Sequence, residues 1–180
     1  NYSEKLGEII KVINKGSQNF FAEQLLKTIG LEKLGFGSVV NGVNAVKEIF
    51  AEIGLNPDNI IMADGSGLSH LNMVTPRQVV ELLKYMYSNK KVYYDFYNSL
   101  PIAGVDGTLG KRMKNTSAEN VVRAKTGYIG FVRSLSGYGV TGDNEPIAFS
   151  MITNNFSVPV KLADNLQDLV CLRLTNFRRK

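Results

Sequence analysis

The sequence is poor in the residues that build disulfides and metal centres. It contains one cysteine and one histidine, Cys171 and His70. A single cysteine excludes an internal disulfide, and one histidine with one cysteine does not supply an ordinary zinc ligand set. Cys171 stands between leucine and valine neighbours, as a small buried hydrophobe does, and neither residue belongs to a cysteine-protease motif. We therefore expect no metal, no cofactor and no catalytic thiol.

Long apolar runs and a secretion signal are also missing. The 180 residues are 44% hydrophobic and 21% charged, which is typical of a chain that buries a core. The formal net charge of +5 favours an anionic partner such as a cell-wall polymer, nucleic acid or a membrane surface. Basic residues cluster only at positions 178–180, which we interpret as a solvated tail. No aromatic residues are interleaved with this cluster, so we expect no nucleic-acid partner.

Helical spacing of apolar residues dominates the first hundred positions. It predicts helices over residues 3–13, 22–29, 38–53 and 93–97. Asn14-Lys15-Gly16 is expected to interrupt the first helix, and Gly30 to end the second. A further helix is expected to start at Thr75-Pro76-Arg77-Gln78, which has the form of a capping box with proline at the first helical position.

The pattern changes to that of strands after Asn120. Alternation and turn residues predict strands over residues 121–125, 131–140 and 147–153, joined as an antiparallel meander. A final helix is predicted over residues 159–176, and one of its sides carries Leu162, Leu166, Leu169 and Arg173. This order indicates an α+β fold. Three strands make a thin sheet that one helix covers on one face only, so we expect further strands to belong upstream.

Three short polar groups interrupt these patterns. They are Ser17-Gln18-Asn19, Asp64-Gly65-Ser66-Gly67-Leu68-Ser69 and Lys125-Thr126-Gly127. Each has an ordinary structural explanation on its own, as a helix cap, a turn or a chance tripeptide. In this order, however, S-x-N and K-T-G are two of the three signatures of the penicillin-recognising serine enzymes.

The chemistry of such a site explains the residue types. A serine alcohol is a weak nucleophile until a nearby base takes its proton, and a lysine does so when burial and a second cation lower its pKa. Lys125 is the candidate second cation, and its charge favours a substrate that ends in a carboxylate, to which Thr126 can hydrogen-bond. Ser17 can relay a proton to the leaving amine, and Asn19 can hold a substrate amide. Gly127 leaves the strand edge open to an extended substrate.

A wider resemblance rests on four ordered blocks. They are INKGSQNFFAEQLL at residues 13–26, DGSGLS at 64–69, LPIAGVDGTL at 100–109 and AKTG at 124–127. Asn72 and a Val-Thr-Pro triplet at 74–76 follow the second block, and Arg112 follows the third. In these blocks the chain resembles the D-alanyl-D-alanine carboxypeptidase/endopeptidase family typified by penicillin-binding protein 4 (peptidase family S13), over nearly its whole length.

The resemblance implies a partial β-lactamase/transpeptidase-like domain with an antiparallel sheet and flanking helices. It implies hydrolysis of the terminal D-Ala-D-Ala bond of peptidoglycan stem peptides, and sometimes of cross-links, through an acyl-enzyme. It also implies acylation by β-lactam antibiotics and a periplasmic or other extracytoplasmic location in a bacterium. By the same resemblance Ser69, His70 and Tyr128 line the site, and the backbone N–H of Tyr128 is one oxyanion-hole donor.

The sequence departs from the family at its nucleophile. The family places S-x-x-K upstream of S-x-N, but the one such string here, Ser88-Asn89-Lys90-Lys91, lies downstream at the polar end of a helix. We therefore expect residues 1–180 to be the C-terminal portion of the penicillin-binding domain and to be inactive alone. The nucleophilic serine and its lysine would come from a missing N-terminal portion of the same protein. His70 and Tyr128 also replace an arginine and a small or polar residue that relatives carry, so the preferred third residue of the stem peptide stays open.

Three alternatives stay open at this stage. The chain could be a peptidoglycan-binding module that has kept the fold and lost the chemistry. It could belong to a β-lactamase of the same superfamily, although the blocks at residues 64–69 and 100–109 favour the carboxypeptidases. It could also be an interaction domain in which the motifs are accidental.

Overall fold

The computed structural model describes residues 3–179. Its helices are α1 (Leu6–Gly16), α2 (Asn19–Leu34), α3 (Val39–Glu52), α4 (Pro76–Ser88), α5 (Lys90–Ser99) and α6 (Val160–Thr175). Its strands are β1 (Arg123–Ile129), β2 (Val132–Val140) and β3 (Pro146–Asn154), and short 3₁₀ turns occupy Pro57–Asn59 and Gly107–Leu109. The predicted α+β class is confirmed. In the predicted basic tail, Arg178 and Arg179 are exposed, while Lys180 lies outside the described residues.

Helix α1 is longer than the sequence predicts. It continues through Lys15 and Gly16, so the expected interruption there is wrong. The helix ends at Ser17, whose backbone has the left-handed conformation (φ 51°) and whose N–H donates to the carbonyl of Ile13. A side-chain contact explains the extension, because Lys15 reaches from the last turn to the carboxylate of Asp106.

Helix α2 also passes the glycine that was expected to end it. It continues to Leu34, and Gly35 ends it in the left-handed conformation (φ 77°). Gly30 is buried where α2 crosses α3, and a Cβ atom there would lie 2.5 Å from the backbone nitrogen of Gly42. Gly30 therefore allows two helices to approach closely, and tertiary contacts outweigh its low helix propensity.

Helices α4 and α5 pack on one face of the sheet through aromatic side chains. The capping box at Thr75 and Gln78 is confirmed, and it fixes the start of α4. Tyr138 of β2 is buried among aromatic residues of these helices, and its hydroxyl donates a 2.7 Å hydrogen bond to the carbonyl of Leu83. This contact joins the helical part of the chain to the sheet.

The sheet is the predicted antiparallel meander, in the order β1-β2-β3. Its register pairs Gly127 with Ser134, and Tyr128 with Arg133. Between positions 3 and 179 no strand pairs with the outer edge of β3. In the same range no helix has both the length and the apolar character needed to span a lipid bilayer.

Helix α6 covers the other face of the sheet with small and polar side chains. It buries Ala163, Gln167, Cys171 and Thr175, and Cys171 joins the main hydrophobic core. The expectation that Cys171 is buried is confirmed, since the residue is fully buried, and burial raises the pKa of its thiol to about 12. The side with the large residues faces outward, and Leu162, Leu166 and Leu169 are 52%, 54% and 64% exposed.

Candidate active site

A groove runs between the end of α1 and the outer edge of β1. Its cavity measures about 540 Å³, and both predicted motifs line it. Ser17 and Asn19 lie on the helical side, and Lys125, Thr126 and Gly127 lie on the strand side. These five residues therefore line one cleft.

Ser17 and Lys125 are in direct contact across the groove. The Nζ atom of Lys125 donates to Ser17 Oγ at 2.8 Å and to the carbonyl of Thr126 at 2.7 Å. Ser17 holds this position in a left-handed backbone conformation that is uncommon for residues other than glycine. Backbone strain of this kind occurs where the surrounding fold specifies a functional geometry.

The environment of Lys125 favours its neutral form more than water does. Burial, and then the positive charge of Arg133, lower the pKa of Lys125 from 10.5 to about 8. The side chain therefore stays largely protonated at pH 7, but it releases its proton far more easily than a surface lysine. Both the burial and the neighbouring cation match the environment that proton-transferring lysines require.

The edge of β1 presents backbone groups to the groove. Ala124 donates its N–H to the carbonyl of Pro101 on the outer edge of the strand. Because backbone groups alternate along a strand, the N–H groups of Thr126 and Tyr128 point to this same edge. The Thr126 hydroxyl donates a 2.9 Å hydrogen bond to that of Thr108, which also lines the groove.

The opposite wall of the groove is the D-G-S-G-L-S loop. Glu23 of α2 accepts hydrogen bonds from the backbone N–H groups of Gly65 and Ser66 at 3.0 and 3.2 Å. A Cβ atom on Gly65 would lie 2.8 Å from the carbonyl oxygen of Ala22, so only glycine fits this close to α2. The loop is therefore fastened to the helix that follows Ser17.

Asp64 gives this loop its internal shape. Its carboxylate accepts hydrogen bonds from the backbone of Gly67 and Ser69, at 2.6 and 2.7 Å, and from the Asn72 side chain at 2.9 Å. Burial tends to raise the pKa of Asp64, but these hydrogen bonds outweigh burial and lower it. Asp64 is thus a charged centre that holds the loop backbone.

Ser69 and His70 lie in an adjoining cavity rather than beside Ser17. This second cavity measures about 640 Å³ and shares Gly127 and Tyr128 with the groove. His70 is exposed and lies opposite Gly130 at the turn between β1 and β2. The two predicted residues are therefore placed next to the groove, towards the turn between β1 and β2.

The sequence reasoning missed several residues of the groove lining, among them Arg133 and Thr108. Thr108 belongs to one of the four motif blocks, so its position there was the available signal. Arg133 had no motif to mark it, and only the pairing of β1 with β2 brings it to the site.

Neither Ser88 nor Lys91 lines the groove. The Ser88 hydroxyl donates to the carbonyl of Tyr85 at the end of α4, and Lys90 lies over the Tyr87 ring. The string therefore terminates a helix, as expected. Within the described part of the chain no cluster of three or more His, Cys, Asp or Glu side chains is arranged to hold a metal.

An S-x-N segment facing a K-T-G strand at the edge of an antiparallel sheet defines the class of penicillin-recognising serine enzymes. The model of the D-Ala-D-Ala carboxypeptidase 3 (S13) family matches residues 1–173. The chain belongs to this family.

Named relatives agree with this assignment. The chain is 41% identical over 180 residues to a D-alanyl-D-alanine carboxypeptidase of Actinomadura sp. (strain R39), covering 97% of this chain and 33% of the relative. It is 33% identical over 159 residues to the D-alanyl-D-alanine carboxypeptidase DacB of Haemophilus influenzae, covering 86% of this chain and 33% of the relative. The chain thus spans about a third of the length of these relatives.

Solved structures confirm the fold. Penicillin-binding protein 4 (DacB) of Haemophilus influenzae, complexed with a β-lactam, matches with a TM-score of 0.82 at 30% identity, covering 91% of this chain and 41% of that one. The TLA-3 extended-spectrum β-lactamase matches with a TM-score of 0.68 at 20% identity, covering 95% of this chain and 63% of that one. The second match supports the β-lactamase-like fold alone.

Proposed function

We propose that this chain forms the S-x-N and K-T-G side of the active site of a serine-type D-alanyl-D-alanine carboxypeptidase. The observation that carries the proposal is the 2.8 Å contact between Lys125 Nζ and Ser17 Oγ. Two residues 108 positions apart meet in a groove that is open to a ligand, and their chemistry is that of proton transfer and anion binding. The proposed substrate is the D-Ala-D-Ala end of a peptidoglycan stem peptide.

The proposed reaction proceeds through an acyl-enzyme. A serine oxygen attacks the carbonyl carbon of the penultimate D-alanine, the peptide C–N bond breaks, and the terminal D-alanine leaves as an amine. The lysine base takes the proton of the attacking serine, Ser17 donates its own proton to the leaving amine, and the base then returns a proton to Ser17. Lys125 orients Ser17 in this relay by donating a hydrogen bond to Ser17 Oγ. Water then attacks the ester, so that the shortened peptide leaves as an acid and the serine regains its proton.

The remaining groove residues bind the substrate in this proposal. Asn19 holds a substrate amide, and the edge of β1 pairs with the extended peptide beside Gly127. The N–H of Tyr128, which points to this edge, donates to the developing oxyanion. Ser69 and His70 contact the substrate further along, in the adjoining cavity.

The attacking serine and its lysine base are proposed to lie outside these 180 residues. They would belong to the portion of the protein that corresponds to the two thirds of the relatives not covered by this chain. Two surfaces are suited to receive that portion, namely the outer edge of β3 and the exposed leucines of α6. An open strand edge accepts further strands, and an exposed apolar stripe accepts a packed helix or strand.

We also propose that the complete enzyme acts outside the cytoplasmic membrane of a bacterium and is acylated by β-lactams. The first proposal follows from the peptidoglycan substrate. The second follows because a β-lactam presents an acyl group and a carboxylate to the same groove. The matching penicillin-binding protein 4 of Haemophilus influenzae is itself complexed with a β-lactam.

Intact-mass spectrometry after incubation with a penicillin tests the proposal. We expect no mass increase for this chain alone, because loss of nucleophile and base lowers the rate of a serine hydrolase about 10⁶-fold. We expect the full-length protein to gain the mass of one penicillin. In that protein, Ser17→Ala and Lys125→Met should each slow acylation by about 10²- to 10⁴-fold.

Ser88→Ala is the matched control, because Ser88 is the serine of the downstream S-x-x-K string and lies outside the groove. It should leave acylation unchanged. Acylation of the 180-residue chain itself, or full acylation of the Ser17→Ala and Lys125→Met variants, would contradict the proposal.

A further inference from the structure

A cross-strand pair beside the K-T-G motif is hydrogen-bonded to helix α6. The register places Arg133 of β2 directly opposite Tyr128 of β1, and the guanidinium lies 5.6 Å from the centre of the Tyr128 ring. Asp164 of α6 accepts hydrogen bonds from Arg133 Nε at 2.6 Å and from Nη2 at 3.1 Å. The guanidinium is therefore fixed in plane by a carboxylate on one edge and covered by an aromatic ring.

The hydrogen bonds to Asp164 involve Nε and Nη2 of the Arg133 guanidinium but not Nη1. Arg133 Nη1 makes no hydrogen bond within residues 3–179, although the side chain is only 16% exposed and lines the groove. Asp164 is held in turn by Arg112, which also contacts Asp168. The second arginine shares the carboxylate and fixes its position. Arg133 is thus a positioned cation with a free donor at the site.

Asp164 pairs with Nε and Nη2 of Arg133, and the described residues that line the groove supply no further acidic group for Nη1. None of these lining residues is Asp or Glu, and the two cations among them are Lys125 and Arg133. The Lys125 ammonium is already engaged with Ser17 and with the Thr126 carbonyl. The guanidinium of arginine is a permanently charged donor group in proteins, and Arg133 Nη1 is not occupied by the contacts to Asp164. The hydroxyls of Thr126 and Thr108, which hydrogen-bond to each other, also line the groove.

We propose that Arg133, positioned by Asp164 and Tyr128, binds the free α-carboxylate of the peptide substrate and makes the site selective for bonds at a carboxyl terminus. The proposal rests on the proposed function above and assigns the carboxylate to a different residue from Lys125. A charged end group gains a charge-assisted hydrogen bond at Nη1, whereas an internal bond or an amide end does not. Arg133 therefore favours carboxypeptidase over endopeptidase activity.

Two peptides that differ in one group test this inference in the full-length protein. One is an N-acetylated peptide that ends in D-Ala-D-Ala, and the other is the same peptide with its terminal carboxylate replaced by carboxamide. We expect the wild-type protein to prefer the acid. Arg133→Gln should lower kcat/KM for the acid by about 10- to 100-fold, as expected for one lost charge-assisted hydrogen bond, and change it less than about threefold for the amide.

Two further variants separate recognition from folding and from general charge. Arg133→Lys keeps the charge but loses the planar fork, so it should restore part of the preference for the acid. Arg123→Gln removes a positive charge from β1 at a residue that lies over the Tyr97 ring and does not line the groove. It should leave the preference unchanged.

The outcomes distinguish the two proposals. If the wild-type protein hydrolyses neither peptide, the proposed function fails. If it hydrolyses the acid and Arg133→Gln slows both peptides equally, Arg133 only supports the fold and this inference is overturned. It is also overturned if the wild-type protein shows no preference for the acid. Loss of preference for the acid in Arg133→Gln, with the amide rate retained, supports it.

Discussion

Lys15 and Asp106 form an ion pair across 91 positions of sequence. Lys15 lies in the last turn of α1, two residues before Ser17, and also donates to the carbonyl of Leu100. Asp106 in turn accepts a hydrogen bond from the N–H of Ile102. The pair therefore fastens the end of α1 to the segment that precedes β1, and it fixes where Ser17 meets the K-T-G strand.

Asp106→Asn should loosen this connection. The lysine side chain is 19% exposed and the aspartate 35%, so solvent screens the pair only in part. We expect the free energy of unfolding of the chain to fall by about 1 to 2 kcal/mol, as for a hydrogen bond to a charged group. Urea unfolding measures the change. Glu52→Gln, in the exposed pair with Lys33, should cost less than about 0.5 kcal/mol, and an equal cost at both sites would contradict the prediction.

Gly65→Ala should move the D-G-S-G-L-S loop away from α2. The added Cβ atom would lie 2.8 Å from both the Ala22 carbonyl oxygen and Leu26 Cβ, and the backbone oxygen cannot rotate aside. We expect a loss of about 1 to 3 kcal/mol in the free energy of unfolding. Gly110→Ala is the control, since its new Cβ atom would have no neighbour closer than 3.5 Å. Thermal unfolding of both variants checks the prediction, and a neutral Gly65→Ala would refute it.

Lys125 should make stability depend on pH in the alkaline range. Its pKa is about 8 in the folded chain and 10.5 ordinarily, so between these values the unfolded chain binds more protons. The contribution of Lys125 to the free energy of unfolding therefore rises with pH from about 8 to 10.5. It is lowest at lower pH, where the buried ammonium is charged. Replacing the lysine removes this dependence.

At pH 7 the Lys125→Met variant should therefore have a higher free energy of unfolding than the wild type. The wild type becomes more stable as the pH rises, so this advantage of the variant should shrink by about 2 kcal/mol at about pH 9.5. Urea unfolding at the two pH values measures the difference. Lys161→Met, an exposed lysine on α6, is the control and should differ from the wild type equally at both. A Lys125→Met difference that does not change with pH would rule out the depressed pKa.

Leu166→Glu should distinguish the isolated chain from the full-length protein. Leu166 is 54% exposed here, so the charge should change the stability of the 180-residue chain by less than about 0.5 kcal/mol. If the remaining portion of the protein covers α6, the same substitution buries a carboxylate and should destabilise the full-length protein by several kcal/mol. Asn165→Glu, the adjacent exposed position, is the control. Equal, small effects in both contexts would show that the leucine stripe stays uncovered.

Local signals in the sequence predicted much of the fold. Helix α3 was expected over residues 38–53 and spans Val39–Glu52, and the capping box at Thr75 was recognised from four letters. The three strands and their antiparallel order followed from alternation and from the turn residues between them. These features depend on nearby residues, so one sequence contains them. The meeting of Ser17 with Lys125 was expected only through the resemblance to a family.

The wrong or missing predictions concern residues whose structural role is set by contacts with residues distant in sequence. Gly30 has the propensity of a helix end, yet the approach of Gly42 makes it an interior position. On α6 the sequence pattern emphasised the side that carries the large residues. The face that packs on the sheet instead has small and polar residues such as Ala163 and Gln167. Arg133 entered the site through strand register and the position of Asp164, and no short motif encodes either.

The unpaired side of β3 has a consequence for anyone who purifies this chain alone. The strand is nine residues long, carries Ile147, Phe149 and Met151, and offers a row of backbone donors and acceptors with no strand beside it in the described part of the chain. Such an edge is a template on which a second molecule can add in the cross-β manner. Concentrated samples should therefore aggregate edge to edge, and a short peptide that pairs with residues 146–154 should keep them monomeric.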